Sequence, residues 1–280
     1  MSGRGMSRSS ARDGNGGPDA VRDAGSTGAA PLDGSHPTAP TDDAADLQRL
    51  PLTGAQRGIW IGEKISREGT VFNIAEALEI DGPIEPARLV QAIRQVTQEA
   101  ETTRTNIVED GDGPQLVIHP RYRGEIARVD LSQHDTPAHA ARAWMMRDVT
   151  APLDLEHDAL WVAALIRTGP DRHLLYQRAH HVILDGYAAG LITRRIASVY
   201  NALVAGIPVP ASPFAPLRQL LDAEHAYRGS RAFARDRDYW RERLADAPEP
   251  ASLARARNPA MNGLARESVV LGRDLSLIHI

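Results

Sequence analysis

The stretch HLLYQRAHHVILDGYAAGLITRRIASVYNALV, residues 173–204, decides how this chain is read. His173 to Ala179 reads as an apolar strand, entered from the turn Gly169-Pro170-Asp171. Tyr187 to Val204, rich in small residues, reads as a helix. Between them lie His180, His181, Asp185 and Gly186, an acid/base set at a strand end rather than a packing pattern. Strands and helices mixed in this order predict a layered α/β domain.

An imidazole has an ordinary pKa near 6.5 and exchanges a proton close to neutrality. That suits it to taking a proton from an amine during acyl transfer. Successive strand residues point to opposite faces, so the two histidines do not share one pocket on a regular strand. One is the working imidazole and the other sits beneath it. Asp185, at a turn tightened by Gly186, is placed to orient a ring or to pair with an arginine and hold the loop. A lone histidine at a strand end is ordinarily a solvated or satisfied residue; the pair with the spaced Asp-Gly moves the reading towards function. A metal centre is disfavoured, because the chain has no cysteine, no HExxH helix and no third ligand at suitable spacing.

Working outward, Leu160 to Arg167 reads as a strand, Pro137 to Thr150 as a helix and Ile126 to Leu131 as a strand. Thr105 to Val108 and Gln115 to Ile118 read as a hairpin, joined by a link containing Gly111 and Gly113. Glu85 to Thr103 has helical periodicity through Leu89, Ala92, Ile93 and Val96. Val71 to Ile80 reads as a strand, and Ala55 to Ile65 as a helix with Thr53 as its N-cap. Downstream, residues 206–210 form a loop. Two helices follow, Pro216 to Tyr227 and Arg231 to Ala245, the second stopped by Pro248-Glu249-Pro250. Residues 1–47 have no aromatic residue and no isoleucine, so they are expected to form a disordered tail. The folded part divides into a first lobe, 48–228, and the start of a second, 229–280. A strand begins at Gly272 to Leu275, and the chain then stops without an ending signal, which suggests truncation.

Hydrophobic residues make up 42% of the 280, enough for a core, and the net charge of -4 gives no general attraction to nucleic acid or to an anionic membrane. Without cysteine there is neither a disulfide nor thiolate chemistry. No apolar run approaches the roughly 20 residues of a membrane span. An apolar signal core is also missing, so a cytoplasmic location is expected. Lys64 is the single lysine among 32 basic residues, which points to coding bias rather than to binding.

The HHxxxDG run resembles that of nonribosomal peptide synthetase condensation domains and their acyltransferase relatives. Three further elements match in order. Thr53-Gly54-Ala55-Gln56-Arg57-Gly58-Ile59-Trp60 is similar to the family's opening helix, with Gly54 a departure. Glu101-Thr102-Thr103-Arg104-Thr105 is similar to a second motif, with Ala100 and Thr103 replacing the usual histidine and leucine. Asp236-Arg237-Asp238-Tyr239-Trp240 is similar to a later helix. The opening resembles siderophore synthetases of the enterobactin type. The resemblance implies a chloramphenicol acetyltransferase-like lobe, a mixed sheet packed by helices, with only the start of the second lobe present.

It also implies amide formation between carrier-bound acyl or peptidyl donors and aminoacyl acceptors. The tethers are phosphopantetheine arms, no cofactor is bound directly, and an adenylation domain is adjacent. His181 would orient the amine or take its proton, with His180 beneath it. Asp185 would hold the loop, through Arg57 or Arg104, and Gly186 would let backbone approach the substrate or begin the helix. Trp60 and Trp240 read more simply as core anchors. The competing readings are a stand-alone acyltransferase acting on a free amine or alcohol, and a non-catalytic carrier-docking module.

Overall fold

A computed structural model of the chain describes residues 47–66, 70–111 and 113–248. The tail expected over 1–47, apart from Leu47, and the strand expected at Gly272 lie outside the described residues.

The chain runs through β1 (Gln48–Pro51), α1 (Gly54–Ser66), β2 (Asn73–Asp81), α2 (Pro86–Glu99), β3 (Thr105–Asp110) and β4 (Gly113–Ile118). It continues through β5 (Ile126–Asp130), α3 (Pro137–Val149), β6 (Trp161–Gly169), β7 (Arg172–His180), α4 (Gly186–Ala205), α5 (Leu217–Arg228) and α6 (Arg231–Arg243). The sheet that carries the site has the order β2-β7-β6-β5. Its β2–β7 and β6–β7 pairs are antiparallel, while β5 and β6 are parallel and joined through α3. A second sheet, β1-β4-β3, is antiparallel throughout.

β6 is buried along most of its length because helices cover both faces of the sheet. Trp161, Ala163 and Leu165 alternate towards Leu89, Ile93 and Val96 of α2 and Ile192, Ile196 and Val199 of α4. Ala164 and Ile166 face the other way, to Ala141 of α3 and Tyr176 of β7. The sheet is therefore the middle layer of three, which is why β6 reads as a continuous apolar run rather than as an alternating one.

Two helix ends and one strand depart from the sequence expectation for a reason the structure shows. The helix read over Glu85 to Thr103 stops at Glu99, and a 3-10 turn follows at Glu101–Arg104. There the Thr103 hydroxyl donates to Thr97 O and Ala100 O at 3.1 and 2.8 Å, a local side-chain bond that competes with the helix. The last helix ends at Arg243, before Pro248 is reached. β1 was not foreseen; it exists because β4 supplies a partner, with Leu50 set opposite Leu116.

Capping follows local chemistry. Thr53 Oγ1 accepts from Gln56 N at 3.2 Å, and Gln56 Oε1 accepts from Thr53 N at 3.0 Å, a reciprocal capping box at the start of α1. α4 ends on Gly206, whose φ of +66° lets Ile207 N close back to Ala202 O at 3.0 Å.

Candidate active site

β7 ends at His180, and the backbone then turns. His181 N donates to Phe72 O at 2.8 Å, and Ile183 N donates to His180 O at 3.1 Å. The Thr102 hydroxyl, on the 3-10 turn, donates to Ile183 O and pins the loop from outside. The two adjacent imidazoles consequently go to different environments.

His180 is fully buried. Its Nδ1 accepts from Val182 N at 3.1 Å, which leaves the ring proton on Nε2 in the neutral form. That atom lies 3.6 Å from Glu63 Oε2 of α1, itself buried. Burial lowers the His180 pKa to about 4, helped by the charges of His181 and Arg178. The Phe72 ring tilts against it at 6.1 Å. A Cβ at position 62 would meet that ring at 2.8 Å, so Gly62 is what lets Phe72 pack beside α1.

His181 is half-buried and lines a cleft of about 190 Å³ with Ile74, Glu76, Trp161, Gln177, Leu184, Gly186 and Ala189 among its other walls. Gln177, Glu76 and Thr193 tie three elements together beside it. Gln177 Nε2 donates to Thr193 Oγ1 and Glu76 Oε1 at 2.7 and 3.0 Å, and the Thr193 hydroxyl donates to Glu76 Oε1 at 2.6 Å. None of these three residues, nor Trp161 or Phe72, is picked out by a local sequence signal, and Glu63 is marked only as part of the opening run Ala55-Gln56 to Glu63-Lys64, with no sign of its place beside His180. They are brought together by strand register and by α4 lying across the sheet.

Asp185 is exposed and caps α4, its Oδ1 accepting from Ala188 N at 2.8 Å. Among the described residues it forms no ion pair with an arginine. Arg57 is exposed on α1. Arg104 is directed to the residue after β4, where it donates to His119 O, and burial lowers its pKa. Neither meets Asp185, so the pairing expected from sequence is replaced by a helix cap. Gly186 begins α4 without a left-handed φ, so it does not tighten the turn through glycine's conformational freedom. A Cβ there would meet nothing within 4 Å.

The neighbouring arginine of β7, Arg178, is buried with Nε 2.9 Å from Asp148 Oδ2, close enough for an ion pair but not aligned as a hydrogen bond. The Tyr176 hydroxyl donates to the same oxygen at 2.7 Å. Among the described residues no cluster of three or more histidine, aspartate or glutamate side chains could hold a metal. No helix there is long and apolar enough to cross a membrane.

The condensation-domain family model matches residues 47–275. The chain is 38% identical, over 82% of its length, to a dimodular nonribosomal peptide synthase of Bacillus subtilis, and 39% identical over 77% to an isonitrile lipopeptide synthase of Streptomyces coeruleorubidus. It is 33% identical over 78% to enterobactin synthase component F of Escherichia coli. It covers 10%, 15% and 17% of these three proteins. Among solved structures, the starter condensation domain of rhizomide synthetase in complex with C8-CoA and Leu-SNAC superposes with a TM-score of 0.71 at 35% identity, covering 75% of this chain and 48% of that one. The first condensation domain of the calcium-dependent antibiotic synthetase gives 0.68 at 35% identity, with 74% and 49% covered.

Proposed function

The chain belongs to the condensation-domain family of nonribosomal peptide synthetases, and from that premise we propose that it forms an amide bond between two carrier-bound thioesters. Condensation domains are amide-forming acyltransferases. The observation that carries the reading to this chain is the separation of the two imidazoles. His180 is buried and neutral, with Nδ1 engaged, whereas His181 opens onto a cleft.

In the proposed reaction the nitrogen of the acceptor amine attacks the donor carbonyl carbon. The new C–N bond forms as the C–S bond breaks, and the donor carrier's thiol departs. His181 orients the amine or takes the proton it loses. His180 holds the turn from beneath and Asp185 starts α4, so both act by positioning. Arg57 and Arg104 support the lobe rather than the reacting atoms.

The partners are donor and acceptor peptidyl carrier domains, presenting phosphopantetheine arms, and an adjacent adenylation domain, all in the cytoplasm. Tethering supplies the effective concentration. Identity to enterobactin synthase component F and the Ala55-Gln56 opening support a siderophore or related secondary metabolite as the product.

The test is His181→Ala in the intact synthetase. Carrier loading is expected to persist while amide formation is lost. Full turnover by the variant would overturn the role given to His181.

A further inference from the structure

Two buried polar atoms of residues lining the His181 cleft have no hydrogen-bond partner among the described residues, Trp161 Nε1 and Gln177 Oε1. Trp161 is fully buried and Gln177 is 4% exposed, so bulk water does not serve either atom. Each calls for a partner that the described residues do not supply, a ligand or an ordered water. Trp161 is registered opposite Ala179, and Gln177 lies two residues before Ala179 on the same strand. The two side chains are therefore diagonal neighbours on the α4 face of the sheet, with Cα and Cβ spacings of about 7–8 Å or somewhat less. Arg178, between Gln177 and Ala179 in sequence, alternates to the opposite face, where it meets Asp148 of α3.

The Gln177 amide has a fixed sense. Its Nε2 is held by Thr193 and Glu76, and turning it over would set its oxygen against a carboxylate. Oε1 is therefore held as an acceptor, while an indole N–H can only donate. One donor and one acceptor, diagonal on one sheet face, match the carbonyl and the N–H of a secondary amide.

We propose that the cleft recognises a secondary amide of the substrate, Trp161 donating to its carbonyl oxygen and Gln177 accepting from its N–H. This rests on the reading of the cleft as the condensation site. Two sources offer the group: the phosphopantetheine arm, and an N-acylaminoacyl or peptidyl donor.

The intact synthetase is assayed with four donors: a simple acyl group or an N-acylaminoacyl group, each as a thioester of N-acetylcysteamine, which carries an amide, or of butanethiol, which does not. In the native protein the KM of the amide-bearing member of the decisive pair is roughly tenfold lower, as two neutral hydrogen bonds supply. Gln177→Met and Trp161→Phe shrink that ratio towards one. Collapse between the two thiols assigns the amide to the arm, and collapse between the two acyl groups assigns it to the donor.

A native ratio of one, a ratio that survives in Gln177→Met, or an equal rise in KM for all four thioesters overturns the inference. Melting curves accompany each variant, and if Trp161→Phe loses its fold, Gln177→Met decides. Normal turnover by His181→Ala would instead remove the site reading itself, whichever way the ratio moves.

Discussion

His180 spends its Nδ1 lone pair on Val182 N and keeps its ring out of water. Protonating it would charge a buried group and remove the acceptor for that backbone N–H. The folded pKa of about 4 lies below the unfolded value of 6.5, so the folded state binds fewer protons in this interval. Stability is then full above about pH 6.5 and falls as the pH drops towards 4, by about 3 kcal/mol in all. Hydrogen exchange at the Val182 amide, corrected for its intrinsic rate, should show constant protection above pH 6.5 and up to ~100-fold less near pH 4. Protection that does not change over this range would remove His180 as the joint of the turn. The opposition of the two histidines is legible from strand alternation alone. The partner of His180 is not, because Glu63 sits on α1, far away in sequence, and only the packing of that helix brings it near.

At the level of elements, α4 is held at its start and at its middle. Its first turn depends on Asp185 accepting from Ala188 N, so Asp185→Ala is expected to cost about 1 kcal/mol, whereas Asp185→Asn, a good N-cap, should lose much less. Urea unfolding of the two variants separates a cap from a charge effect; equal losses would restore an ionic role for the carboxylate. The sequence reading of Asp185 as a loop-holding residue stands close to this geometry, but an arginine was expected where the helix's own backbone serves. An aspartate before a glycine signals a tight turn and a helix N-terminus alike, and the strand-to-helix crossing decides between them.

Further along, Arg195 is 5% exposed and forks onto Glu99 of α2, Nε to Oε2 at 2.7 Å and Nη2 to Oε1 at 2.9 Å, with Nη2 also donating to Pro210 O. The same hydrogen bond from Arg195 is the main reason the Glu99 pKa is lowered. Arg195→Met leaves the partly exposed Glu99 carboxylate with Gln95 Nε2 at 2.8 Å and should destabilise by about 2–3 kcal/mol, most of which returns in Arg195→Met/Glu99→Leu. Additive losses in that cycle would show that the pair is not coupled. Neither residue stands out in the sequence, because on an amphipathic helix a buried arginine looks like any solvated one.

Over the whole molecule, apolar surface is unevenly distributed. The three layers around β6 close over two cores, one on each face of the sheet, and the order of strands and helices that builds them follows from periodicity along the chain. The far end is different. No residue of α5 or α6 is buried, and Leu220, Tyr239, Trp240 and Leu244 are each more than half exposed. Trp240, read from sequence as a core anchor, stands 57% exposed, and its nearest aromatic neighbour is the equally exposed Tyr239 at 5.3 Å. Large apolar side chains exposed in this way favour association. The 280-residue chain by itself is therefore expected to bind a hydrophobic dye and to sediment as more than a monomer. Tyr239→Ser, Trp240→Ser and Leu244→Ser together should reverse both without loss of helical signal, since these side chains support no core. A monomer that ignores the dye would mean that this face is covered in solution, and the triple variant would then lower its melting temperature instead.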